Sequence, residues 1–218
     1  MEWKLFEGDT PHVSTQEFHS GRERAPHLEQ PGHRERLHLT ASMIGRLCST
    51  ASPVPLTLTD LGCGDGGLLS LVQSFFADAW GYDFQPSNEE GWDERDVRAF
   101  QVDFVNNWEG VVIGEVVVMT EVLEHLADPF AMLKKLHDSP ARYLICSSPC
   151  TETDRNHCAE HAWAWDKRGY AELLFNAGWR VLHHQTTGMF HIVTASRRKS
   201  WDSLGNMFVM AGYEKEHN

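Results

Sequence analysis

Four glycines within six residues, placed directly behind a short apolar run, limit what this chain can fold into more than any other feature. Residues 57–67 read Thr-Leu-Thr-Asp-Leu-Gly-Cys-Gly-Asp-Gly-Gly. Leu56, Leu58 and Leu61 make a β-prone stretch before the loop. After it, Leu68, Leu69, Leu71, Val72, Phe75 and Phe76 recur at helical spacing. A strand, a glycine turn and an amphipathic helix form a βα unit in which backbone amides can close on a ligand. Side chains in the turn would block that ligand or force a disfavoured φ.

The loop by itself fits two ligand classes, because Gly62-x-Gly64-x-x-Gly67 also satisfies the dinucleotide pattern, and Asp83 lies where a ribose-binding acid would follow. Asp60 separates them. An ionised carboxylate just before the loop repels a pyrophosphate and attracts an α-ammonium group. A nicotinamide-dependent oxidoreductase has no account of Asp60 or Asp103.

The rest of the pattern alternates strand and helix. Residues 1–32 carry Gly8, Pro11, Gly21, Pro26, Pro31 and Gly32 and are expected to form loops and turns. Leu37, Ala41, Ile44 and Cys48 predict a helix over 33–48, with Arg34, Arg36 and His38 on its flank. Pro53 and Pro55 end it. Further strands are expected at 79–82, 99–102, 111–119 and 143–146. Helices open at Asp128-Pro129 and at Asp166, the second ending at Gly178. Two β-prone stretches, 179–183 and 190–195, close the pattern as a hairpin-like pair. Such an order gives an α/β sheet with one antiparallel strand. Trp201, Leu204 and Phe208 suggest a short amphipathic turn before a polar end expected to be disordered.

Composition narrows the function classes. A formal net charge of −12 argues against broad affinity for nucleic acid. The stretch from Arg22 to Arg46, with five arginines, three histidines and three glutamates, is the one local basic candidate. Its simpler reading is a solvated helix face. No apolar run approaches the roughly twenty residues of a membrane span, and the N-terminus lacks a signal-peptide pattern. Five scattered cysteines point to reduced thiols and a cytoplasmic setting. Without a C-x-x-C spacing, structural zinc is not expected.

Acids fall at four expected strand ends: Asp60, Asp83, Asp103 and Glu121. Ligands of open α/β sheets bind beyond those ends. The string Asp60-Leu-Gly-Cys-Gly-Asp-Gly-Gly67 resembles motif I of the class I S-adenosylmethionine-dependent methyltransferases. Glu121-Val-Leu-Glu-His-Leu-Ala-Asp-Pro129 resembles motif IV of their ubiquinone-type O-methyltransferases and of small-RNA 2′-O-methyltransferases. The resemblance covers about residues 56–195 and implies a Rossmann-like, mostly parallel seven-stranded sheet with helices on both faces. It implies S-adenosylmethionine as cofactor, held by Asp60, Gly62, Cys63, Gly64, Gly66, Gly67, Asp83, Phe84, Asp103, Phe104, Thr120 and Glu121. Asp83 would take the ribose hydroxyls, since a carboxylate only accepts and the diol donates twice. Asp103 and Phe104 would hold the adenine.

In the RNA enzymes a two-Glu, two-His set holds a metal. Here Glu121, Glu124 and His125, at i, i+3 and i+4, would face one way on a helical turn. His161, in the stretch Asn156-His-Cys-Ala-Glu-His161-Ala-Trp163-Ala-Trp165, would complete the set. Two carboxylates and two imidazoles suit Mg²⁺ or Mn²⁺. Without a metal, His125 or His161 is the natural general base for a hydroxyl acceptor. The chain is thus read as a lid over 1–52, a methyltransferase domain over 53–197 and a tail over 198–218. Its expected acceptor is a small molecule. The alternatives are an RNA, clamped by the arginine segment and stacked on Trp163 and Trp165, and a non-catalytic S-adenosylmethionine-binding module.

Overall fold

The computed structural model describes residues 1–5 and 16–198. The expected turn at Trp201, Leu204 and Phe208 and the polar end lie outside the described residues. In chain order the strands are β1 (Glu2–Lys4), β2 (Thr57–Leu61), β3 (Asp78–Asp83), β4 (Ala99–Gln101), β5 (Val116–Thr120), β6 (Tyr143–Pro149), β7 (Trp163–Trp165), β8 (Trp179–Thr187) and β9 (Phe190–Arg197). The helices are α1 (Gln16–Ser20), α2 (Pro31–Thr50), α3 (Gly67–Val72), α4 (Glu89–Glu94), α5 (Pro129–His137) and α6 (Lys167–Asn176).

Seven strands form one sheet in the order β4-β3-β2-β5-β6-β9-β8. All neighbours are parallel except at β9, which runs against both β6 and β8. The order turns back on itself between β2 and β5, so their carboxyl ends open a crevice there. Val116 to Met119 of β5 are fully buried, as a central strand covered on both faces requires. One core cluster joins Leu61, Val117, Met119, Leu133 and Trp179; a second joins Leu37, Ile44 and Leu47 of α2 to Leu58, Leu69, Val116 and Ile145.

Asp128 and Asp166 cap α5 and α6, each accepting a backbone N–H three residues on, at 2.8 Å. Three expectations are corrected. The expected strand over 111–119 begins only at Val116. Residues ahead of it instead cross against β2, where Thr59 Oγ1 accepts from Gly114 N at 2.8 Å and donates to Val112 O at 3.0 Å. The expected helix after the glycine loop stops at Val72 and tightens into a 3-10 turn over Gln73–Phe75, because Ala77 N must already reach Leu56 O to start β3. Residues 1–32 are not all loop: β1 pairs antiparallel with β7, and α1 forms a short helix. Cys48, Cys63, Cys146, Cys150 and Cys158 are all free thiols, as expected. Among the described residues no helix is long and apolar enough to cross a membrane.

Candidate active site

The crevice at the carboxyl ends of β2 and β5 is a cavity floored by the glycine loop. Gly62 has φ +78°, and a Cβ there would sit 2.4 Å from Val122 Cγ2, so the chain needs glycine on both counts. Asp83 ends β3 and braces the loop. Its carboxylate accepts Gly64 N at 2.9 Å, Gln85 N at 2.9 Å and Asn88 Nδ2 at 3.1 Å. Burial raises its pKa against the pull of those three donors. Phe84, Asn88, Phe104 and Val105 extend the wall beside it.

Asp60 and Arg36 share the other end. Asp60 is 1% exposed, and its Oδ1 has no hydrogen-bond partner. Burial and the neighbouring Asp83 charge push its pKa up to about 7, with Arg36 pulling the other way. The expectation of a plainly ionised Asp60 is therefore corrected: with no cation against it, the group is poised between its two states near neutrality. Arg36 is also 1% exposed. Its guanidinium donates to Ser147 Oγ at 3.2 Å, lies 3.7 Å from Glu121 Oε1 and stacks over Phe190, yet its Nε has no partner.

Thr120 and Glu121 continue the lining past the end of β5. Glu121 has φ +58°, a conformation few non-glycine residues adopt. This left-handed step breaks the expected helical turn. Ser147 Oγ donates to Glu121 Oε1 at 2.6 Å, so the Glu121 carboxylate faces Arg36. The group of candidate ligand atoms lying within 4.8 Å of one another contains Glu124, His125 and His161 but not Glu121, which corrects the four-residue set. Glu124 is fully buried, and neither carboxylate oxygen has a partner. Burial and the Glu121 charge hold its pKa well above the usual range. The rings of His125 and His161 meet edge to face at 4.7 Å. Burial lowers the His125 pKa to about 4, so its imidazole is neutral at pH 7.

Asp60, Gly62, Cys63, Gly64, Gly67, Asp83, Phe84, Phe104, Thr120, Glu121 and His125 all line this one cavity. Gly66 lies behind the lining, holding the start of α3 in a left-handed turn. Asp103 stands next to the lining residues Phe104 and Val105 but not among them, and its carboxylate caps the following turn by accepting Val105 N, Asn106 N and Asn106 Nδ2 at 3.1, 3.2 and 2.8 Å. His161 is also outside the lining and stands behind His125. Within the basic segment, Arg22 pairs with Glu160, Arg24 with Asp65 and Glu94, and Arg36 is buried, while Arg34 and Arg46 are exposed. Trp165 is fully buried and stacked on Trp163, whose indole N–H donates to Leu126 O at 3.0 Å and which lines a separate hollow with Asp128 and Phe130 rather than the cavity. Sequence reading missed Arg36 as a cavity residue. Its only signal there was one charged residue set beside Leu37 at the inner edge of the helical stripe.

Strand order, crevice and glycine loop together define a class I S-adenosylmethionine-dependent methyltransferase fold. A methyltransferase-domain family model matches residues 33–215, and the chain belongs to that family. Among solved structures it resembles the N-methyltransferase NodS of Bradyrhizobium japonicum WM9 with S-adenosylhomocysteine (TM-score 0.64, 15% identity, 87% of this chain and 100% of that one). It also resembles the magnesium protoporphyrin IX methyltransferase of Synechocystis PCC 6803 with bound SAM (0.59, 18%, 81% and 86%). A third is the 1,6-didemethyltoxoflavin-N1-methyltransferase of Burkholderia thailandensis (0.60, 14%, 79% and 86%). No curated protein matches by sequence.

Proposed function

We propose that this protein binds S-adenosylmethionine and methylates a small-molecule acceptor. One observation carries the reading: the cavity holds two buried, oppositely charged and incompletely satisfied groups, Asp60 and Arg36, with the Asp83 carboxylate also in its lining. Buried charges with unsatisfied atoms are costly, so a cavity keeping one of each sign is complementary to a zwitterionic amino-acid head group. Asp60 pairs with its ammonium and Arg36 with its carboxylate. Asp83 accepts from the ribose hydroxyls, and Phe104 with Val105 flanks the adenine. Bound there, S-adenosylmethionine supplies a methyl group on a sulfonium.

The protein's own part is then mainly orientation, because an in-line displacement depends on holding the reacting atoms about 3–3.5 Å apart. Residues 16–52 serve as the cover: His19, Ala25, His27, Arg36 and Leu37 line the cavity, and a closed cover keeps water from the reacting atoms. The structural relatives named above that act on porphyrin and toxoflavin support a small acceptor over RNA, as does the −12 net charge.

Glu124, His125 and His161 fit a hard divalent cation such as Mg²⁺ or Mn²⁺, because a buried carboxylate without a hydrogen-bond partner is what such an ion would satisfy. An ion held there would supply Lewis acidity toward an acceptor hydroxyl. His125 and His161 are then ligands; without the ion, His125 is the group placed to take the acceptor's proton.

Calorimetric titration with S-adenosylhomocysteine, NAD and methylthioadenosine tests the cofactor. Arg36→Met keeps the apolar stem and removes the charge, and should cost about 1.5–3 kcal/mol of S-adenosylhomocysteine affinity. Methylthioadenosine, which lacks the amino-acid head, should bind both proteins alike. Tighter binding of NAD, or an Arg36→Met protein with unchanged affinity, refutes the assignment.

A further inference from the structure

The loop between β6 and β7 has a carboxylate at its centre that methyl transfer as outlined above does not use. Glu152 and His161 are both mostly inside the protein, with side chains 14% and 12% exposed. Glu152 Oε2 accepts from His161 Nδ1 at 2.6 Å, and its Oε1 accepts Cys158 N at 2.9 Å. The loop around it is tightly made. Thr153 and Asn156 exchange backbone hydrogen bonds at 3.0 and 3.2 Å, and Ala162 N returns to Glu124 O at 2.7 Å. We propose that Glu152 is the positioning residue of a divalent-cation site formed by Glu124, His125 and His161, holding His161 with its lone-pair nitrogen turned to the ion. The proposal rests on the cation reading given above and assigns it a residue no sequence motif marked.

The chemistry of the donors carries the argument. A carboxylate only accepts, so His161 Nδ1 must carry the hydrogen and Nε2 the lone pair. His125 is set the same way, since its Nδ1 lies 3.0 Å from the carbonyl oxygen of Glu160, which also only accepts. Two imidazoles are thus fixed in the same tautomer, on rings in contact, beside a fully buried carboxylate with both oxygens unsatisfied. Histidines that bind a metal are held by such a hydrogen bond at the other ring nitrogen, which orients the ring and raises its basicity. A purely structural Glu152 accounts for the bond to Cys158 N. It does not account for His161 having a ring nitrogen within 4.8 Å of an unsatisfied Glu124 oxygen.

Two readouts on the full chain test this. Mn²⁺ alone, titrated and followed by loss of the free-ion electron paramagnetic resonance signal, should bind the wild type. Glu152→Ala should weaken it about 10–100-fold, the usual cost of removing such a partner, while S-adenosylhomocysteine affinity stays the same. Glu152→Gln, which can still accept from Nδ1, should lose less, and it stands in if the alanine variant does not fold. Glu124→Gln should remove Mn²⁺ binding. Nitrogen-15 spectra of labelled histidine at about pH 8, where an ordinary imidazole is neutral, should show His161 protonated at Nδ1 in the wild type and shifted toward the Nε2–H form in Glu152→Ala. A wild type that binds S-adenosylhomocysteine but not Mn²⁺ overturns the cation site itself. Mn²⁺ affinity equal in wild type and Glu152→Ala, or His161 protonated at Nε2 in the wild type, overturns the role of Glu152 alone.

Discussion

Asp60 shows how a single residue couples this cavity to pH. Its folded-state pKa is raised to about 7 from 3.8, so the empty cavity takes up a proton there as pH falls through neutrality. An α-ammonium group against it favours the ionised form, so ligand binding must release that proton. Affinity for S-adenosylhomocysteine should therefore fall as pH drops below about 7, by up to about tenfold per pH unit. Asp60→Asn should flatten the profile at a lower affinity. Calorimetry in two buffers of different ionisation enthalpy reads the proton release directly, and equal heats in both would refute the coupling. At this scale the sequence was informative about identity and poor about state. Asp60 and Asp83 could be picked out because they stand at the expected ends of the two strands that flank the glycine loop. The charge state of Asp60 depends on burial by chain far away in sequence, and no local pattern encodes that. Asp103 illustrates the converse, since an acid at a strand end is equally useful as a cap, and here it serves as one. Glu121 departs from its expected helical turn because one residue in the left-handed region redirects its side chain to Ser147 and Arg36.

Helix α2 carries the corresponding lesson among the elements. Its apolar spacing was legible: Leu37 and Ile44 are buried and Ala41 and Cys48 pack against the same core, but the buried face also takes in Arg36, Thr40, Met43 and Leu47. Hydrophobicity alone could not place Arg36 and Thr40 inside, because they are buried for the sake of the cavity and of a hydrogen bond from Thr40 Oγ1 to Arg36 O at 2.8 Å. The consequence for the cover is direct. Residues 16–29 reach the cavity with His19, Ala25 and His27 and are held by contacts such as Arg24 and Arg95 on Asp65 of the glycine loop, with Glu29 on Arg95. By contrast α2 shares a core with β2, α3 and β5. Deleting 1–50 therefore removes core as well as cover, and a cut before Pro31 is the cleaner test of a lid. Ile44 is fully buried in that shared core, so Ile44→Ala should cost about 2–5 kcal/mol of stability in chemical denaturation. A loss below about 1 kcal/mol would mean that α2 is a detachable cover after all. The mostly parallel sheet and its closing hairpin were legible for a simpler reason: buried parallel strands and a closing antiparallel pair each leave their own pattern.

Over the whole molecule, thirteen histidines accompany a net charge of −12, and how they are buried sets the response to acid. The pair in the closing hairpin is the clearest case. His191 Nε2 lies 3.1 Å from the Trp165 carbonyl, which only accepts, so His191 carries its hydrogen there and offers a lone pair at Nδ1. His184 Nε2 then donates to it at 3.0 Å. This directional chain joins β8, β9 and β7 while both rings are neutral. A proton on His191 Nδ1 would set two N–H groups face to face. Burial, followed by His191, Lys167 and His183, lowers the His184 pKa to about 3, and burial lowers that of His191 as well. The sign follows from linkage. With folded pKa values below the unfolded value near 6.5, the unfolded chain binds more protons between about pH 6.5 and 3, so stability from this pair falls as pH drops through that window. Asp60 opposes it, since a raised carboxylate pKa favours the folded state as pH falls toward 3.8. The two are separated by changing one and leaving the other. His184→Gln keeps an N–H donor for His191 and removes a titrating ring. Its melting temperature should match the wild type to within a few degrees at about pH 8. By about pH 5 it should have lost ~2 kcal/mol less, roughly 4–8 °C for a chain of this size. Parallel curves for the two proteins across that range would show that the hairpin pair does not set the acid limit of this fold.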